Sequence, residues 1–140
     1  MGIVRTEITL TNAFDAGKAN EGLIKEQEIR RTTVKALVDS GAWTMVINEA
    51  VRKKLGLEVV GADYGKLADG KRQKYKLAGP LEVRWKDRRV LLDALVLPDG
   101  EDALLGAIPL EAMDLIIDPR REELIGAHGD EVLHVIYLAA

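Results

Sequence analysis

The chain has 140 residues, which is enough for one domain with a sizeable core and too few for two domains of ordinary size. Its composition is 47% hydrophobic and 31% charged, with a formal net charge of −3, which is typical of a soluble globular protein and gives no reason to expect nucleic acid as a partner. The sequence has no cysteine, which excludes disulfide bonds, thiol nucleophiles and thiolate metal ligands.

The amino-terminal segment has a strand pattern, which is favoured although Gly2 and Thr6 also fit the short pattern for N-myristoylation. Residues 1–6 lack the apolar core of a signal peptide, and no apolar run is long enough to cross a membrane, so we expect a cytoplasmic protein without membrane contact. Ile8 and Leu10 alternate with polar residues, which predicts a half-buried strand. Residues 12–25 are polar and contain glycine, and they are predicted to form a surface loop.

The most informative stretch spans residues 36–42, where an apolar, strand-like run ends in Asp39-Ser40-Gly41. Gly41 can adopt backbone angles that are closed to other residues, and Ser40 can hydrogen-bond locally, so the turn aims the carboxylate of Asp39. Taken alone, the tripeptide also fits an ordinary turn in which Asp39 and Ser40 bond to nearby backbone. Trp43 follows the turn, and its size favours the core over a substrate subsite.

A short helix and a hairpin are predicted next. Asn48 is a suitable N-cap for a helix over 49–55, which has an acid in the first turn, bases in the last turn and Gly56 directly after its end. Residues 66–76 have the composition of a hairpin with Asp-Gly at the turn, and they fit either a solvated hairpin or a lid over a binding groove. The tip of this hairpin consists of Leu67, Ala68, Asp69, Gly70 and Lys71.

Two further strands are predicted before residue 100. Leu81, Val83 and Trp85 alternate with charged residues, which predicts a strand with one buried face. Residues 89–97 form a near-continuous apolar run, which favours a strand covered on both faces.

The last third of the chain contains a second motif and further strand patterns. Leu104-Leu105-Gly106 precedes a predicted short helix around 109–113, which has proline near its first turn. Residues 114–117 are predicted to form a strand, which a turn over 118–121 connects to a hairpin partner. The apolar run 131–138 is long enough for one more strand, which has no assigned partner. His128 and His134 have no further ligand at metal-binding spacing, so no metal site is predicted.

Two of these stretches resemble the active-site motifs of the retropepsin-like, or retroviral-type, aspartic proteases. The first motif of that family has an apolar pair, Asp, Ser or Thr, Gly and usually Ala, and it is matched completely from Leu37 to Ala42. The second motif has two apolar residues and Gly before a short helix, and Leu104, Leu105 and Gly106 are similar to it. The resemblance covers roughly residues 28–125. It implies an all-β fold, namely a closed β-barrel with one or two short helices, formed by the whole chain as a single domain.

The resemblance also implies a homodimer, because the family's chemistry needs two carboxylates and the chain has one Asp-Ser-Gly. Each subunit would contribute one catalytic Asp39, and Ser40, Gly41 and Ala42 would support the active-site turn. Residues 66–76 would be the flap over a polypeptide substrate, and residues 127–140 would include a C-terminal strand that can enter the dimer interface. No metal or organic cofactor is implied.

Three function classes follow. The first is an aspartic endopeptidase that cleaves extended polypeptide segments through a water activated by the two Asp39 carboxylates. The second is a dimeric peptide-binding or regulatory module of the same fold with weak or no turnover, because a groove and a lid can bind peptides without cutting them. The third is a structural β-barrel outside the family, which requires the two spaced motifs to be coincidental.

Overall fold

The computed structural model describes residues 2–136. These residues form nine strands and three α-helices, and a single 3-10 turn lies at Glu26–Glu28. In chain order the elements are β1 (Arg5–Asn12), α1 (Ala13–Asn20), β2 (Arg31–Val38), β3 (Val46–Asn48), α2 (Glu49–Leu55), β4 (Glu58–Lys66), β5 (Arg72–Trp85), β6 (Arg88–Leu97), β7 (Leu104–Leu105), α3 (Ala107–Ala112), β8 (Leu115–Asp118) and β9 (Glu123–Gly126).

The main sheet contains seven strands in the order β1-β2-β7-β3-β6-β5-β4. Strands β2 and β7 pair in parallel, as do β3 and β6, whereas the other neighbours are antiparallel. Strand β1 pairs a second time, because residues 9–12 lie opposite residues 81–84 of β5. Strands β8 and β9 form a separate hairpin, as predicted. The predicted mostly-β architecture is confirmed.

The hydrophobic core lies on the inner face of the main sheet. Ile8 and Leu10 of β1, and Leu81 and Val83 of β5, are at most 1% exposed, as expected where alternate side chains of a strand point inward. Leu55 at the end of α2 packs with them. Each large apolar side chain removed from water contributes about 1.5–3 kcal/mol. The core therefore fixes the ends of the strands from which the candidate site residues project.

Helix α2 has the predicted bounds and the predicted caps. The side chain of Asn48 accepts a hydrogen bond from the backbone N–H of Val51 at 2.8 Å. Gly56 follows the helix with a φ of 62°, in the left-handed region that favours glycine at this position. The prediction of a capped helix over 49–55 is confirmed.

The predicted loop over residues 12–25 is wrong in its first half, where the chain forms α1. Asn12 caps this helix by accepting a hydrogen bond from Asp15 N at 3.1 Å, and it also donates one to the Leu55 carbonyl at 2.8 Å. Asp15 is 4% exposed and accepts hydrogen bonds from the Arg30 guanidinium at 2.8 and 3.0 Å, which lower the pKa of Asp15. The polar composition of this segment indicated a loop, but these long-range partners stabilise a helix.

Two other expectations are corrected. Strand β6 is not covered on both faces, because Leu91 is 53% exposed and consecutive burial is confined to residues 94–96. The C-terminal strand predicted over 131–138 is absent from residues 132–136, which have no regular structure, and its last residues, 137 and 138, lie outside the described residues. An isolated β-bridge between His128 and Glu131 lies near the start of this predicted strand.

Among the helices of residues 2–136, none has the length and apolar character needed to span a membrane.

Candidate active site

The structure brings the two sequence motifs side by side. Strand β2 ends at Val38, so Asp39 lies at the end of this strand. The short strand β7 runs parallel to β2, with Leu104 opposite Leu37 and Leu105 opposite Val38. The backbone N–H of Asp39 donates a hydrogen bond to the Leu105 carbonyl at 3.0 Å. The second motif therefore holds the backbone of the first motif at the position of the acid.

The acid turn, defined here as residues 39–44, orients the carboxylate of Asp39. The carboxylate atom Oδ1 accepts a hydrogen bond from the N–H of Gly41 at 2.9 Å, and the Asp39 carbonyl accepts one from the N–H of Ala42 at 3.1 Å. Asp39 is half-buried, whereas Ser40 and Gly41 are exposed. The turn thus presents a carboxylate with one oxygen held by backbone at the protein surface.

Gly106 makes the close approach of the two motifs possible. A Cβ at this position would lie 2.3 Å from the Thr44 carbonyl oxygen and 2.6 Å from the Ala42 carbonyl oxygen, so only glycine fits against this backbone. Helix α3 follows, with its proline in the first turn as predicted. Its first N–H groups donate to the acid turn, from Ala107 to the Ala42 carbonyl at 2.8 Å and from Ile108 to the Trp43 carbonyl at 2.9 Å.

Trp43 is not in the core, which corrects the expectation from its size. Its residue surface is 40% exposed, whereas the next residues, Thr44 and Met45, are 4% and 0% exposed. The chain turns inward one residue after the tryptophan, because Thr44 packs against Gly106 and Met45 precedes the inner strand β3. An exposed aromatic side chain beside Asp39 is therefore available for contact with a bound molecule.

The predicted hairpin is present as the connection between β4 and β5. At its tip the N–H of Leu67 donates to the Lys71 carbonyl at 2.8 Å, and the Asp69 carboxylate accepts from the N–H of Lys71 at 2.9 Å. Gly70 has a φ of 84°, which explains the glycine in the Asp-Gly turn. The hairpin is confirmed, and its role as a flap stays a prediction.

Five of the surface cavities formed by residues 2–136 have volumes of about 310 to 650 Å³, and Asp39 lines none of these five. One of about 650 Å³ is bounded by α1 and by strands β1, β5 and β6. These five cavities therefore lie away from the Asp39 carboxylate.

One cluster of polar side chains was not predicted from the sequence. Asp114, two residues after the end of α3, binds His128 Nδ1 at 2.6 Å and accepts a hydrogen bond from the N–H of Leu133 at 3.0 Å. The hydrogen bond from His128 lowers the pKa of Asp114. The buried Arg88 donates to the carbonyls of Asp114 and Gly129. These contacts attach residues 128–133 to the end of α3, and their sequence separation leaves no local pattern that could predict them.

The described residues contain no group of three or more His, Asp or Glu side chains arranged to hold a metal ion. The catalytic role of Asp39 and the supporting roles of Ser40, Gly41 and Ala42 stay predictions, although the structure places them in one turn beside Leu104, Leu105 and Gly106.

Comparison with known proteins gives a family and two similar structures. A sequence model of the family described as "gag-polyprotein putative aspartyl protease" matches residues 26–111, more than half of the chain. The retroviral protease-like domain of Ddi1 from Leishmania major is similar at 23% identity and a TM-score of 0.47, over 66% of this chain and 78% of that chain. EIAV protease complexed with the inhibitor HBY-793 is similar at 24% identity and a TM-score of 0.41, over 54% and 71%. No curated protein sequence matches.

The family match includes both motifs, the hairpin and most of α3. The chain therefore belongs to the gag-polyprotein aspartyl protease family, which is a retropepsin-like family of aspartic proteases. The resemblance given by Asp39-Ser40-Gly41-Ala42 and Leu104-Leu105-Gly106 is confirmed at the level of the family.

Proposed function

We propose that this protein is an aspartic endopeptidase that works as a homodimer, with one Asp39 carboxylate from each subunit. The observation that carries the proposal is the acid turn itself, in which the N–H of Gly41 holds the half-buried carboxylate of Asp39 and the second motif holds the Asp39 backbone. No cation of residues 2–136 forms an ion pair with this carboxylate. A carboxylate oriented in this way is suited to acid-base chemistry, because it is neither neutralised by an ion pair nor free to rotate.

The dimer supplies the second carboxylate that the chemistry requires. Two carboxylates a few ångströms apart share one proton, since both cannot ionise comfortably. The ionised member takes a proton from the water held between them while the water oxygen attacks the scissile carbonyl carbon, and the protonated member donates its proton to the carbonyl oxygen. In the collapse of the tetrahedral intermediate, the carboxyl protonated in the first step donates to the amide nitrogen, the other carboxylate takes a proton from a hydroxyl of the intermediate, and the C–N bond breaks. Ser40, exposed beside the acid, would bond across the two-fold axis, and the reaction needs no metal or organic cofactor.

Exposed apolar residues near both chain ends support a dimer interface. Ile3 is 73% exposed, and Leu133, Val135 and Ile136 are 54%, 75% and 74% exposed. Leu133, Val135 and Ile136 are close in sequence, and a cluster of exposed apolar side chains is typical of a protein contact. We assign the C-terminal segment 127–140 to this contact, where a strand that is absent from residues 132–136 would form against the partner.

The substrate groove would lie between the acid turns and the β4–β5 hairpins of the two subunits. The pairing of β1 with both β2 and β5 supports the closed barrel as the scaffold of this groove. An extended polypeptide would bind by strand-like hydrogen bonds, with alternate side chains in pockets and Trp43 beside the acid. We therefore expect cleavage in unfolded segments with apolar residues around the scissile bond.

The test is the substitution Asp39→Asn, which keeps the size of the side chain and removes its titratable proton from both subunits. We expect peptide cleavage to fall to background, while circular dichroism and the dimer seen by sedimentation remain unchanged. Cleavage by Asp39→Asn at the parent rate, with contaminating proteases excluded, would remove the protease proposal. A parent protein that binds peptides without cutting them would instead be the peptide-binding or regulatory module.

A further inference from the structure

Strands β4 and β5 of the hairpin place their positively charged side chains on one face. Residues directly opposite each other in an antiparallel pair project to the same side of the sheet, and successive residues alternate. The register pairs residue 62 with 76, 64 with 74 and 66 with 72. The face that these pairs share, called the outer hairpin face below, is exposed throughout and consists of Ala62, Tyr64, Lys66, Arg72, Lys74 and Lys76.

Two side-chain contacts agree with this division into faces. The Arg72 guanidinium carbon lies 4.9 Å from the centroid of the Tyr64 ring, which requires both side chains to be on the same side. A Cβ built on Gly65 would lie 2.8 Å from the Tyr75 ring, so Tyr75 crosses Gly65 on the opposite side. Asp63 pairs with Tyr75 and belongs to that opposite side. The outer hairpin face therefore carries four cations and no carboxylate.

Three of these four cations have no neutralising partner within residues 2–136. No ion pair within 4.0 Å involves Lys66, Arg72 or Lys74. The fourth cation, Lys76, is close enough to Glu49 to contribute to the lowered pKa of that carboxyl. The main cause of the lowered pKa is the hydrogen bond from Arg52 to Glu49. A cluster of free positive charge in a chain with a net charge of −3 marks this surface as different from the rest of the molecule.

Protection of a sheet edge accounts for only part of this charge. Strand β4 is at the edge of the main sheet, and lysine on an edge strand discourages pairing with other chains. That reason applies to Lys66 and also to Arg72 and Lys74, because residues 72–75 of β5 pair only with β4, but it does not apply to Lys76, where β5 is paired on both sides. Lys66 and Arg72 are directly opposite each other, and like charges in that position are destabilising. A binding partner of opposite charge would offset this cost.

We propose that the outer hairpin face docks an acidic, extended segment of the polypeptide substrate, outside the groove that holds the scissile bond. The cations of β5 recur at every second residue, which is the period of side chains along an extended chain. A substrate segment with a carboxylate at every second residue therefore matches Arg72, Lys74 and Lys76 in spacing and in sign. This inference rests on the proposed peptidase function, for which it names a class of substrate.

The experiment measures binding separately from cleavage, using the full chain with Asp39→Asn. The probe is a fluorescein-labelled peptide with glutamate at every second position, and its counterpart has glutamine at those positions. We expect the glutamate peptide to bind about tenfold more tightly by fluorescence anisotropy, with the difference shrinking as salt is added. Reversing two charges, Arg72→Glu with Lys74→Glu, should abolish the difference between the peptides.

A matched control reverses two exposed lysines on α2, Lys53→Glu with Lys54→Glu, so that the net charge changes equally while the outer hairpin face is intact. This control should keep the preference for the glutamate peptide. A neutral pair, Arg72→Gln with Lys74→Gln, replaces the reversal if thermal unfolding shows that the reversal disturbs the fold, and it should reduce the preference partly.

Two outcomes would overturn the docking surface. The first is that the hairpin reversal and the α2 control lose the preference for the glutamate peptide equally, which would mean that this preference depends on net charge alone. The second is tighter binding of a single-stranded oligonucleotide than of the glutamate peptide, which would assign the face to nucleic acid. If the glutamate peptide binds but the parent protein cleaves no peptide, only the peptidase proposal is contradicted. If cleavage has the same KM for substrates with and without an acidic extension, only the docking proposal is contradicted.

Discussion

The acid turn and the tip of the β4–β5 hairpin are both turns that carry an aspartate and glycine, yet they are held in different ways. The acid turn donates a hydrogen bond to β7 and accepts two from α3, both of which are distant in sequence, and it leads directly into buried residues. Within residues 2–136, the hydrogen bonds of the hairpin tip all join residues between Leu67 and Lys71, and residues 66–72 are all exposed. Two turns of similar composition are therefore stabilised differently, the acid turn by distant segments and the hairpin tip by its own backbone.

This difference corresponds to two different demands in the proposed mechanism. A carboxylate that activates water must be held within a fraction of an ångström, which rigid backbone donors and buried strands provide. A lid must open to admit substrate, which requires a segment of low local stability. We therefore expect substitutions at the acid turn to affect the whole domain and substitutions at the hairpin tip to act locally.

The largest contrast is expected from one pair of leucine truncations. Leu105 in the second motif is 0% exposed, whereas Leu67 at the hairpin tip is 40% exposed. Leu105→Ala should lower the free energy of unfolding by about 3 kcal/mol, because it removes buried methyl groups and leaves a cavity under Asp39. Leu67→Ala should cost less than about 1 kcal/mol. Urea denaturation of both variants measures the difference, and equal losses would break the comparison.

A second contrast concerns the close approach of the motifs. Gly106→Ala places a methyl group against the carbonyl oxygens of Thr44 and Ala42, which are backbone atoms that cannot rotate away. We expect a loss of about 2 kcal/mol and a fall in kcat, since the acid turn must shift to make room. The control is Gly61→Ala in β4, where nothing lies within 4 Å of the added group. A Gly106→Ala variant with parent stability and parent activity would show that the turn is more pliable than its contacts indicate.

The parts of the fold that sequence could predict are those fixed by local chemistry. Asn48 and Gly56 mark the ends of α2 through bonds within a few residues, and Asp39-Ser40-Gly41 forms its turn in the same way. The hairpin tip is local as well, because its Asp-Gly pair determines the backbone. In each case the residues that make the contact are neighbours in sequence, so the pattern contains the information.

What sequence could not predict depends on partners that are far away along the chain. Helix α1 was missed because Asn12 reaches Leu55, and Asp15 reaches Arg30, only in the folded protein. The exposure of Trp43 was missed because the backbone turns inward at Thr44, which follows from its contact with Gly106. The attachment of residues 128–133 to Asp114 is of the same kind.

A smaller effect is expected from acid, through the ion pair that fixes the start of β2. The hydrogen bond from Arg30 lowers the pKa of Asp15, so this pair stabilises the folded state above the pKa of the unfolded chain, near pH 4. That stability, about 1 kcal/mol because Arg30 is half-exposed, should be lost as the pH falls through the lowered pKa. Asp15→Asn and Arg30→Gln should both flatten the acid limb of a plot of unfolding free energy against pH. An unchanged acid limb in both variants would assign the pH dependence to other carboxylates.

The smallest effect on stability is expected for a substitution at Gly70. This substitution tests most directly whether the hairpin tip is stabilised by local contacts and not by the core. Its φ of 84° strains any residue with a Cβ, but no atom lies within 4 Å of the added group, so Gly70→Ala meets a backbone cost without a clash. Because the hydrogen bonds of the tip to other described residues stay within the tip, it can rearrange while the core stays intact, and the global free energy of unfolding should fall by no more than about 1 kcal/mol. The kcat/KM for peptide cleavage should fall by a larger factor, since the closed position of the lid depends on this turn. Gly70→Asn, which tolerates a positive φ, should restore most of the activity. A Gly70→Ala variant as unstable as Gly106→Ala would mean that the hairpin tip is part of the cooperative core and does not open independently.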